Sequence, residues 1–334
     1  MILGYNFLAK TPTVPLDNQY SSVFDQYYGE NIDIKRSVFT TCPSGGSLDD
    51  RHQLRWVSNK LTTGLYEVAY LFGGGYLFAI TYIFIHSLAI SISYVNILRI
   101  LREINPKKTI EKTHKALSMI IYLAAIAIFL SGPIGEFSYS VIELAFISFA
   151  LFFSIKKSLI PFILIFTAAL LHRESAILLP LVWLLFNKKS LYSLKHLVAL
   201  AFPLFVYLIA NFNIAECLIS KNFLISFEKQ EGQITWHTFL EGSQGILKGA
   251  VLILLNFSII APASYCAYYF IDKSSLNIQQ LNFYKNLIFL SSIYFLIFLV
   301  ATPLNHMSSK IIVLPYLIPI FVQYLVQSSR EVDK

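Results

Sequence analysis

The chain has 334 residues, 26 Lys and Arg against 19 Asp and Glu for a net charge of +7, 56% hydrophobic residues and only 13% charged ones. Soluble domains carry about 25% charged residues, so a soluble enzyme is excluded, and long continuous apolar runs argue against a β-barrel of alternating ten-residue strands. The basic residues sit in short loops between apolar runs, which is the positive-inside pattern of membrane proteins and no sign of nucleic acid.

The predicted architecture is an all-α polytopic membrane protein of about nine transmembrane helices with extracytoplasmic juxtamembrane amphipathic helices. Residues 1–60 are polar and rich in turn formers. No basic n-region followed by an apolar core marks a signal peptide, and Met1–Ala9 is too short to span. Either this tail is exported without a signal or a first helix precedes it. Leu54, Val57, Leu61, Leu65, Val68 and Leu71 recur at three- and four-residue steps, an amphipathic helix. It is expected to lie in the interface with Trp56 and Tyr66 at headgroup depth. Gly73-Gly74-Gly75 is expected to break it, so residues 1–75 read as an extracytoplasmic segment ahead of a bundle over 76–328.

Nine apolar segments fall near 76–98, 116–131, 139–155, 159–171, 175–187, 196–211, 246–271, 286–301 and 310–327. Arg99, Arg102, Lys107, Lys108, Lys112 and Lys115 place the first connection in the cytoplasm. Strict alternation then puts Lys156-Lys157, Lys188-Lys189 with Lys195, the 272–285 connection and the C-terminal tail on that side too, and each holds Lys or Arg. It sends outward residues 1–75, the turns at 131–138, 172–175 and 302–309, and the 212–245 loop. The outward pieces collect His, Arg and Glu, so the active face is expected outside.

His172-Arg173-Glu174-Ser175 interrupts what would otherwise be one apolar block, between Leu159–Leu171 and Ala176–Phe186. Arg at a helix centre in a membrane costs roughly 2.5–3.5 kcal/mol on insertion scales. The flanking runs are short for about 30 Å of hydrocarbon. Two short helices meeting at a polar turn are expected, near one surface or lining a cavity. The plainer reading is a hairpin turn whose charges reach water. In the functional one, His172 and Glu174 polarise an acceptor hydroxyl and Arg173 pairs with phosphate.

Three further groups stand beside it. Asp49-Asp50-Arg51-His52, with Arg55 one turn on, precedes the amphipathic helix. Asp49 or Asp50 either caps that helix or serves as a surface carboxylate, base or metal ligand, while Arg51, His52 and Arg55 grip a lipid phosphate. Glu136 ends the Gly132-Pro133 turn and is either a helix-start carboxylate or a base. The 212–245 loop sets Phe223, Phe227, Trp236, His237 and Phe239 among glutamates, suiting an interfacial helix or sugar stacking, and His306 closes the outward set. Cys42, Cys217 and Cys266 fit no metal spacing, though Cys42 and Cys217 share the outer side, where a disulfide can form. No metal site is identified; a divalent cation is compatible with the carboxylates and not required by them. There is no P-loop and no dinucleotide fingerprint.

Leu170-Leu171-His172-Arg173-Glu174-Ser175-Ala176-Ile177-Leu178-Leu179-Pro180 resembles the (N/H)RE-(T/S)-x-LLLP stretch of bacterial membrane proteins of the GT-C glycosyltransferase superfamily. Asp50-Arg51-His52-Gln53-Leu54-Arg55-Trp56 resembles the arginine-rich segment before their first amphipathic helix. The resemblance implies a multi-pass inner-membrane enzyme with its active face extracytoplasmic. Its donor would be a polyprenyl-phosphate-linked sugar, its acceptor a glycan or lipid-linked hydroxyl. Its first-loop acid would be Asp49 or Asp50, with Asp25 behind them. The family normally has a helix before that loop and more spans, and this chain departs from both. His172-x-x-Ser175-Ala176 equally resembles the H-x-S-A tract of EpsG/Wzy-type polysaccharide polymerases, the second reading. A transporter or flippase of lipid-linked glycans is the third; it would need polar residues through the spans on both sides of the midplane.

Overall fold

A computed structural model describes residues 63–105, 112–129, 138–188, 193–210, 276–301 and 311–332. Among the described residues every regular element is helical: α1 (Thr63–Ile104), α2 (Lys112–Phe129), α3 (Ser138–Ile155), α4 (Leu159–His172), a 3-10 turn (Glu174–Leu178), α5 (Leu179–Phe186), α6 (Leu194–Ala210), α7 (Ile278–Ala301) and α8 (Leu314–Val332). The expected segment at 246–271 and the 212–245 loop lie outside the described residues. One stretch, Ile83–Ile104 of α1, is long and apolar enough to cross a membrane by length and composition; six other apolar helices run 10–17 residues.

Helix α3 sits at the centre, packed against α1, α4, α5 and α8. The α1–α3 contact is pinned by Asn96, whose Nδ2 donates to Ser148 Oγ at 3.2 Å, both buried. Trp183 of α5 fills the space beside α4, its ring 4.9 Å from that of Phe162. Such tilted aromatic pairs add about 0.5–1.5 kcal/mol beyond their buried area.

Alternate helix ends gather at one pole. Lys156, after α3, reaches Glu103 near the end of α1 at 2.5 Å. Asn187, after α5, donates to the carbonyl of Ser154 at 2.9 Å. Gln280, in the first turn of α7, donates to the carbonyl of Ile104 and to Asn105 Oδ1. Asn105 donates to Gln323 of α8, which also accepts from the Tyr284 hydroxyl. Tyr94 of α1 donates to the carbonyl of Lys115 at the start of α2. The Trp183 ring lies over His196 at the start of α6. From α1 to α6 each helix thus runs opposite to the one before it; α7 starts at the same pole as α6, and α8 runs opposite to α7. Arg99, Arg102, Lys156, Lys157, Lys188, Lys195 and Lys285 are exposed at this pole, with Glu103 as their one exposed acidic neighbour among the described residues.

The chain turns from α3 to α4 in three residues, Lys156, Lys157 and Ser158. Ser158 N–H donates to the Phe153 carbonyl and Lys157 N–H to the Ser154 carbonyl, the two bonds of a Schellman motif. Lys157 occupies the left-handed position, with φ 56°, where glycine has no Cβ penalty. Lys157→Gly is expected to stabilise the chain by about 0.5–1 kcal/mol, the relief being partly offset by glycine's greater freedom when unfolded. A rise of a few degrees in the thermal midpoint checks it, and a fall would show that the side chain holds the turn.

Two expectations give way here. The helix does not break at Gly73-Gly74-Gly75: α1 is continuous over 42 residues and runs across the 75/76 boundary. Glycine costs about 1 kcal/mol in a helix interior but keeps its N–H, so a long flanking helix can carry it through. Second, α7 begins at Ile278, eight residues before the apolar run at 286 suggests. Asn277 and Gln280 form a reciprocal capping box: Asn277 Oδ1 accepts from the Gln280 N–H at 2.8 Å, and Gln280 Oε1 accepts from the Asn277 N–H at 3.2 Å. A polar start of this kind is invisible to hydropathy.

Candidate functional site

The opposite pole holds a buried charge pair. Helix α4 ends where Arg173 takes an extended backbone conformation, φ −158° and ψ 141°, with its N–H still donating to the Ala169 carbonyl. The 3-10 turn follows at once, then Pro180 in the first turn of α5, where a missing N–H costs nothing. This break carries the Arg173 side chain against the start of α3. Its Nη1 donates to Glu143 Oε2 at 2.7 Å and to Ser140 Oγ at 2.9 Å. Ser140 and Glu143 stand three residues apart and so share one face of α3. Ser175, two residues beyond Arg173, donates its hydroxyl to Glu143 Oε1. Both carboxylate oxygens are thereby engaged, one by a cation and one by a hydroxyl.

The pair is out of solvent. Glu143 is 1% exposed and Arg173 6%. Buried charges survive only when closely paired, and even then apolar replacements are often as stable or more so. Stability alone is therefore a weak reason for this pair to exist. His172 is fully buried beside it, its ring 5.4 Å from Phe146, one turn along α3 from Glu143.

Two tyrosines from the far side of the core complete the group. Tyr294 of α7 and Tyr316 of α8 are fully buried, with ring centroids 5.3 Å apart at 37°. The field of Glu143 reaches both hydroxyls. The hydroxyls approach one another without hydrogen-bond geometry, and neither has a hydrogen-bond partner among the described residues.

Of the candidate catalytic and binding residues read from the sequence, the structure describes three. His172 and Arg173 lie in this site; for Glu174 it describes the backbone, which opens the 3-10 turn. Arg173 is held by a carboxylate and does not simply reach water as a hairpin-turn residue would. Asp49, Asp50, Arg51, His52, Arg55, Glu136, His237 and His306 lie outside the described residues, as do Cys42, Cys217 and Cys266. Glu143 is the residue the sequence reading misses. A single carboxylate inside Val141-Ile142-Glu143-Leu144-Ala145 was the available signal, since ionisable groups in apolar spans are rare and costly. Among the described residues no three His, Cys, Asp or Glu side chains cluster as a metal site would need.

Comparison with protein-family models, with curated proteins and with solved structures finds no significant match to this chain.

Proposed function

We propose that the chain is a multi-pass membrane enzyme of glycan assembly. It transfers a sugar from a polyprenyl-phosphate-linked donor to a hydroxyl of a glycan or lipid-linked acceptor, on the face where Glu143 and Arg173 meet. The observation that carries the reading is that pair: a carboxylate and a guanidinium 2.7 Å apart, buried together at the ends of α3 and α4.

Glycosyl transfer from a phosphate separates charge in a defined direction. The acceptor oxygen forms a bond to the anomeric carbon, and the bond from that carbon to the phosphate oxygen breaks. The electron pair leaves with the phosphate while positive charge grows on the sugar ring. Fixed charges aimed at those two ends stabilise the transition state without reorganising. Glu143 faces the ring and takes the acceptor's proton, the role the sequence also offers to Asp49, Asp50, Glu136 and Glu174. Arg173 meets the departing phosphate, which guanidinium groups bind well, with His172 beside it and Arg51 and Arg55 as further cations.

The bilayer setting is supported by the exterior. Leu194, Leu197, Val198, Phe202, Phe205, Leu208 and Ile209 are all exposed on α6, and Ile160 and Leu164 on α4. An apolar face this extensive needs a cover. The exposed cations crowd the pole away from the pair, as cytoplasmic loops would. The second reading, a polysaccharide polymerase of the EpsG/Wzy type, is favoured by one contact: Ser175, within the His172-x-x-Ser175-Ala176 tract, donates to Glu143.

Surface glycan from cells carrying Arg173→Lys, Glu174→Gln or Asp50→Asn, each confirmed in the membrane, tests both. Loss of one sugar with chain length kept is the expected result. Collapse of the ladder to single repeat units would make the enzyme a polymerase. Unchanged glycan in all three would discard both and leave transport of lipid-linked glycans.

A further inference from the structure

Buried hydroxyls rarely go without a hydrogen bond, because a lost bond to water must be replaced. Tyr294 and Tyr316, on α7 and on the α8 helix that packs against α3, present two at once, with no hydrogen-bond partner among the described residues. We propose that these two hydroxyls are the subsite for the sugar ring of the donor, and that they set which sugar is accepted. The inference rests on the glycan-assembly reading and assigns one part of the substrate to one part of the site.

The chemistry favours a neutral polyol over the other parts of such a substrate. Each tyrosine hydroxyl both donates and accepts, as each hydroxyl of a pyranose does. Two of them side by side match a pair of neighbouring ring hydroxyls. A phosphate needs a cation to bind well, and two neutral hydroxyls supply none. A polyprenyl tail would leave the hydroxyls as unsatisfied as before. The phosphate belongs instead with Arg173, the cation of the pair, which leaves the carboxylate to the anomeric carbon and the tyrosines to the ring.

Tyr294→Phe and Tyr316→Phe remove the hydroxyls and keep the rings. The purified full chain in detergent is titrated with short-chain polyprenyl phosphate and with the same lipid bearing a hexose, an N-acetylhexosamine or a deoxyhexose. Wild type is expected to prefer one sugar-bearing lipid over the bare phosphate. The double variant is expected to lose that lipid at least tenfold, to bind the bare phosphate within twofold of wild type, and to melt no lower without ligand. If wild type prefers a sugar lipid and the double variant keeps that preference, the subsite is overturned while the glycan-assembly reading stands. Equal loss of both lipids, or a much lower melting temperature, would make the hydroxyls structural and overturn it too. Binding of no lipid by wild type would overturn the subsite together with the reading beneath it.

Discussion

Glu143→Leu is expected to destabilise the chain by about 3–5 kcal/mol, enough to lower its level in cells, because it leaves the Arg173 guanidinium buried without its carboxylate. Arg173→Met should do the same from the other side. The sharper expectation concerns the two together. Glu143→Leu with Arg173→Met removes both charges and fills the space with apolar atoms, and such replacements are often neutral or stabilising. The double variant should therefore be more stable than either single one, with an interaction energy of at least the roughly 3–5 kcal/mol that either single variant loses. Thermal melts of the four proteins in one detergent give the cycle. Additive losses would mean that the pair is not coupled in the folded chain.

Glu143→Gln separates structure from chemistry. The amide keeps the shape, its one oxygen still accepts from Arg173 and its NH2 can donate to the Ser175 hydroxyl, but it can neither take a proton nor stabilise a cationic ring. Losing a positioned general base costs typically 10²–10⁴-fold in rate. Product formation by the purified chain, from a short-chain polyprenyl-linked sugar, should fall by about that much. Lipid binding should change little, because the amide leaves Arg173 in place. A variant retaining rate within a few-fold of wild type would reduce Glu143 to a residue that positions Arg173.

The sequence disclosed the helical class and, from α1 to α6, the alternation of helix direction, because long apolar runs and loop lysines write both in one dimension. Arg173 was equally plain, standing in a polar break between two apolar runs. Its partner was not. Glu143 lies 30 residues away in an unbroken apolar run, and pairing across helices leaves no mark in local spacing. The tyrosines were hidden for another reason. The chain holds 20 of them, and nothing in a helix's own residues says which hydroxyls will be buried without a partner. Helix starts misread for want of apolar residues, as at Asn277 and Gln280, are errors of the same kind: hydrogen bonding decided them and hydropathy saw only polarity.

The three-residue turn at Lys156-Lys157-Ser158 has a consequence for how such a chain is made. Glu143 is synthesised 30 residues before Arg173. At about 5–20 residues per second the carboxylate waits roughly 2–6 s for its cation. A lone carboxylate left in hydrocarbon for that time would be expensive. If the chain is the membrane protein proposed above, the short turn lets α3 and α4 leave the ribosome and insert as one hairpin, with the lysine turn kept on the side of synthesis and the acid and base crossing together as a neutral pair.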